Sequence, residues 1–87
     1  MSTIGAEMGQ LQGLGQSFVR ESQTVAQLTA TIGGQVQSTW WKGPAADRFR
    51  TAWEGEFAPT LRRLEAALQE ASQEINRRHD ALMQAGT

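Results

Sequence analysis

Apolar residues recur along the first forty positions in alternating steps of four and three. The stripe is Ile4, Met8, Leu11, Phe18, Val25, Ile32 and Val36, and Gly15, Ser22 and Thr29 fill its gaps one heptad apart. Such steps keep side chains on one face of an α-helix, so the pattern predicts a helix over about residues 4–39. The three small residues have two readings. They let another helix approach closely, or they weaken the core where they stand. Leu14, Val19, Ala26 and Leu28 widen the apolar face, and seven glutamines lie between them. Only Glu7, Arg20 and Glu21 carry charge here. A helix so poor in charge is either covered on more than one side or presents an exposed Gln/Ser/Thr surface.

A second stripe predicts a helix over about residues 45–83. It runs through Ala46, Phe49, Trp53, Phe57, Leu61, Leu64, Leu68, Ala71 and Ile75 in steps of three and four, and then Leu82. All remaining charged residues lie from Lys42 onward, mostly on the opposite face. Glu74 and Arg78 stand at i,i+4, a pairing worth a few tenths of a kcal/mol. Pro59 removes the hydrogen bond to the Gly55 carbonyl, which predicts a kink at residues 55–59. Gly33-Gly34 costs about 1 kcal/mol per glycine relative to alanine inside a helix, marking a weak point or bend that packing has to carry. Gly5, Gly9 and Gly13 predict fraying over the first dozen residues, and the last residues, from Gln84, read as frayed too.

Between the two stripes lies Trp40-Trp41-Lys42-Gly43-Pro44-Ala45-Ala46-Asp47-Arg48-Phe49. Gly43 can adopt the backbone conformations that close one helix or open another. Pro44 has its φ preset and no N–H to leave unsatisfied at a first helical position. Asp47 places a negative charge near the exposed N–H groups of the first turn. A reversal over residues 40–44 follows, with Trp40, Pro44, Phe49 and Trp53 expected to pack the hinge. The fold class is therefore all-α: one domain over 1–87, an antiparallel two-helix hairpin.

Helices of about 35 residues are roughly 50 Å long at 1.5 Å per residue. Packed only on each other they form a plank without an interior. The seam residues Leu11, Phe18, Val25 and Ile32 of the first helix, with Phe57, Leu61, Leu64, Leu68 and Ile75 of the second, cannot all be hidden between two helices. A second hairpin laid on the first hides them by forming a four-helix bundle. Dimerisation is thus a physical expectation.

Composition narrows the function by exclusion. A chain of 87 residues with net charge −1 offers no electrostatic reason to bind nucleic acid or an anionic membrane. It has no cysteine, hence no disulfide framework or thiolate chemistry. No apolar run suffices for stable membrane insertion. The N-terminus lacks both a basic n-region and an apolar h-region, so a conventional signal peptide is not expected. His79, the one histidine, stands beside Asp80. Adjacent helical residues do not face each other, and no second His or Cys completes a metal site, so a solvated helix-end histidine is expected. Glu54 with Glu56 and Glu70 with Glu74 read as charged-face residues. Neither glycine cluster follows a strand, as a phosphate loop requires. The reading is non-enzymatic, without cofactor or metal.

Trp41-Lys42-Gly43 is a W-x-G tripeptide placed mid-chain, followed by Ala45-Ala46 and Phe49, with Trp53 four residues on. In this motif, its helical flanks and its short length, the whole chain resembles the WXG family, similar to the early secreted antigenic target proteins of type VII (ESX) secretion. The resemblance implies a helical hairpin that dimerises with a second WXG protein, engages the secretion machinery including its ATPase, and is secreted without a cleaved signal. It also implies that Trp41, on a turn shaped by Gly43, belongs to a surface read during export together with the partner's C-terminal tail. For the three tryptophans, packing remains the alternative, expected for two of them. The family's tail signal, Tyr-x-x-x-Asp/Glu, finds no counterpart: there is no tyrosine, and Met83 follows His79 at the fourth position. The chain therefore reads as the signal-less member of a heterodimer. A homodimer or oligomer acting as effector, an adaptor for the targeting domain of a larger toxin, and a truncated tail are the alternatives. A membrane-active role is disfavoured by the lack of a basic face.

Overall fold

The computed structural model describes residues 3–86. Helix α1 spans Thr3–Ser38, α2 spans Pro44–Ala52, and α3 spans Ala58–Ala85, with a π-helical turn at Trp53–Phe57 joining the last two. The result is an antiparallel hairpin, with α1 packed along α3. Its Cα extents are 64 × 17 × 13 Å, one helix pair wide and one helix thick. No interior can form in such a plank. Among the described residues the buried hydrophobic side chains are only Ala46, Ala58 and Leu82.

Small residues carry the seam. Gly15 and Ser22 are buried on α1, and Ala58 and Ser72 on α3. Ser22 is 1% exposed and Ser72 3%. The Ser22 hydroxyl donates to the Val19 carbonyl of its own helix at 2.6 Å, so its burial leaves no polar group unpaired. A β-carbon on Gly15 would stand 2.9 Å from Asn76 Oδ1 and 3.6 Å from Ile75 Cγ2. Of the two readings of the Gly15-Ser22-Thr29 heptad, close helix approach is therefore realised at Gly15 and Ser22, within the hairpin itself.

Helical register divides the remaining surface into two unlike faces. On one side of the seam lie Leu14, Val25, Leu28 and Ile32 of α1 with Phe57, Leu61, Leu64, Leu68 and Ile75 of the second arm. On the other lie Ala26, Ala30, Gly33, Gly34 and Gln37 with Trp53, Arg62 and Glu65, which line an open groove of about 540 Å³. The first face is apolar; the second is mostly small and polar, and also carries Trp53 and Val19, which is 41% exposed beside Gln16, Arg20 and Gln23.

Several local expectations need correction. Residues from Thr3 onward are helical rather than frayed, and Arg78 Nη2 lies 3.4 Å from Glu7 Oε1, tying the start of α1 to the end of α3. Arg78 is thus not paired with Glu74, whose carboxylate instead meets Arg77 at i,i+3. Gln84 and Ala85 belong to α3; Met1, Ser2 and Thr87 lie outside the described residues. The irregularity expected at 55–59 takes the form of the π-helical turn, whose end is marked by the Ala58 N–H donating to the Trp53 carbonyl. The backbone stays right-handed helical at Ala52, Phe57 and Ala58, so the arm runs on through this turn, and Pro59 stands in the first turn of α3 with no N–H to give the turn behind it. At Gly33-Gly34 α1 runs on without interruption.

Candidate functional site

The reversal comprises residues 39–43, and glycine is required at its end. Gly43 has φ 113° and ψ 176°, a region that side chains with a β-carbon rarely adopt. Pro44 opens α2, Asp47 lies in its first turn, and the Asp47 N–H closes that turn on the Gly43 carbonyl at 3.0 Å. No other described residue outside glycine has a positive φ.

The two tryptophans of the turn part company here. Trp41 lies against Phe49, with ring centroids 5.9 Å apart and tilted by 51°. Phe49 in turn meets Phe57 at 6.3 Å. This aromatic chain runs from the turn onto the apolar face, beside a shallow groove of about 170 Å³ lined by Ile32, Val36, Trp41 and Phe49. Trp40, expected to pack the hinge, is instead 86% exposed, because the turn directs only one of two consecutive residues toward Phe49. Pro44 is exposed at the helix start. Trp53 packs away from the turn, over Gly33, where an added β-carbon would lie 3.5 Å from its Nε1.

Sequence reasoning passed over Arg50. Its Nε donates to the Val36 carbonyl at 3.1 Å, its Nη1 to the Trp41 carbonyl at 2.9 Å, and its Nη2 to the Thr39 carbonyl at 3.0 Å. The signal for it was indirect: α1 has no basic residue in its last turn, which leaves its terminal carbonyls and dipole without a local cation.

The seam residues proposed from sequence are distributed unevenly. Leu11, Phe18, Val25, Leu61, Leu68 and Ile75 are half-buried. Ile32, Phe57 and Leu64 remain exposed, as do Leu14, Leu28 and Met83. His79 departs from its expectation. It is partly buried because it stands four residues after half-buried Ile75 and seven after buried Ser72 on the same side of α3, and its Nδ1 lies 3.3 Å from Asp80 Oδ1. Among the described residues no cluster of His, Cys, Asp or Glu could hold a metal, and no helix is long and apolar enough to cross a membrane.

A family model described as proteins of 100 residues with WXG matches residues 3–87. No curated protein and no solved structure matches the chain.

Proposed function

The chain belongs to the WXG100 family, small helical secreted proteins of type VII secretion, and on that premise we propose that it is one hairpin of a dimer with a second WXG protein. The observation that carries this reading is the apolar face: Leu14, Leu28, Ile32, Phe57 and Leu64 are each between 37% and 47% exposed. Covering a half-exposed side chain of this size contributes roughly 1 kcal/mol, and several together offset part of the cost of association. The turn, with Trp41 at the edge of that face, is the surface read by the export machinery. In this reading the other hairpin carries the tyrosine-bearing tail signal of the pair; the 87 residues themselves contain no tyrosine.

The test is secretion from a host with a working type VII system. Export that requires both the secretion ATPase and a co-expressed WXG protein is expected. Export of the chain alone, as a self-associated dimer, would replace the heterodimer by the homodimer. Retention under every condition would remove the secretion role.

A further inference from the structure

We propose that Arg50 is the positioning residue of the W-x-G turn, fixing by its guanidinium fork the backbone shape in which Trp41 is presented. The inference rests on the reading of this turn as an export surface. It begins from the end of α1. The Thr39 N–H donates to the Gln35 carbonyl at 2.9 Å, which satisfies the first of the carbonyls a helix leaves behind. The next, that of Val36, receives Arg50 Nε at 3.1 Å. The guanidinium continues past the helix end into the turn, reaching the Thr39 carbonyl at 3.0 Å and the Trp41 carbonyl at 2.9 Å. All three nitrogens are engaged, and all three acceptors are backbone.

That choice of acceptors distinguishes fixing a shape from joining two helices. A side chain that merely tied α2 to α1 would need one partner on α1. Arg50 instead spans from the last turn of α1 to the motif tryptophan. Among the described residues no carboxylate forms a salt bridge with it, so the charge is directed at carbonyl oxygens and the negative pole of α1. Phe49 and Arg50 are adjacent and divide the work. Phe49 meets the Trp41 ring at 5.9 Å, and Arg50 holds its carbonyl. With both ends of Trp41 fixed, the preceding Trp40 is left pointing to solvent. Lysine cannot replace this arrangement, because a single ammonium lacks the planar fork needed to reach separated acceptors.

The experiment compares Arg50→Met, Arg50→Lys and Trp41→Ala with the wild-type full chain, together with its WXG partner if one is required. Carbonyl carbon shifts of Thr39 and Trp41, the Trp41 indole signal, helical circular dichroism and secreted fraction are read on each. Arg50→Met is expected to move those shifts and broaden the indole signal at unchanged helicity, and to lower export about tenfold, as loss of charge-assisted bonds allows. Arg50→Lys is expected to follow it. Unmoved shifts in the Met variant, or wild-type behaviour of the Lys variant, would overturn the proposal. If a variant loses helicity, the wild type decides: an Arg50 Nε–H protected from exchange supports the role, and rapid exchange refutes it. Normal export of Arg50→Met beside impaired export of Trp41→Ala would overturn the positioning role and leave the export surface standing. Normal export of Trp41→Ala would remove the export surface, and this role with it.

Discussion

Trp53 covers Gly33: a β-carbon added at residue 33 would stand 3.5 Å from the indole Nε1, an ordinary contact distance. The second arm therefore meets α1 through an aromatic ring laid over a residue with no side chain. Gly33→Ala is expected to be accepted and to raise stability by up to about 1 kcal/mol through helix propensity. Gly33→Leu is expected to push the indole off the helix and lower the melting temperature. Thermal unfolding with the Trp53 indole signal separates the two; a leucine variant with an unmoved indole contradicts the contact.

Gly34 and Gly43 make opposite predictions for the same substitution. Neither added β-carbon would meet another atom within 4 Å, so sterics do not distinguish them. Backbone does. Gly34 lies within α1, and alanine there should stabilise by roughly 1 kcal/mol. Gly43 has φ 113°, and alanine there should destabilise by about 1–3 kcal/mol. Denaturant titration of the two variants checks the sign.

Ser22 tests the closeness of the seam. Ser22→Ala removes only a bond to its own helix, and a change under about 1 kcal/mol is expected. Ser22→Leu inserts bulk between two helices at a position 1% exposed, and should cost about 1–3 kcal/mol or separate the arms. Equal melting temperatures for the two variants would place Ser22 outside the seam.

The adjacent tryptophans should behave differently. Trp40→Ala is expected to change stability by less than about 0.5 kcal/mol, as for an exposed residue without partners. Trp41→Ala should lose about 0.5–1.5 kcal/mol with its Phe49 contact, retain most helicity, and impair export. A secretion assay beside circular dichroism reads both effects.

The hairpin was legible in the sequence because its signals are periodic and local: steps of three and four on both arms, then Gly43-Pro44 between them. What escaped was set by contacts across the chain. Glycines 9 and 13 suggested fraying, but Glu7 and Arg78 meet from opposite ends of the sequence. Trp53 sits close enough to the motif to suggest hinge packing, whereas its register on the second arm carries it to Gly33. Spacing could not say which of Trp40 and Trp41 faces inward, since that depends on the φ of Gly43 and the reach of Arg50. Pro59 announced an irregularity, and the register of the π-helical turn decided its form.

Leu64 lies on the apolar face and remains 47% exposed. Leu64→Asp, and equally Leu68→Asp, should abolish assembly, since a charge buried without a partner costs several kcal/mol. Arg62→Asp, on the polar face, should leave assembly intact. An unchanged oligomeric mass for the leucine variants would show that the other face is the interface.

The most direct test of the account is the solution mass of the purified chain by light scattering, with circular dichroism on the same sample. A plank with one apolar face left open is expected not to persist alone. The account predicts either a helical dimer at twice the 9.5 kDa chain mass, or a poorly helical monomer that becomes helical with a second WXG protein. A fully helical, cooperatively unfolding monomer that ignores such a partner would contradict it.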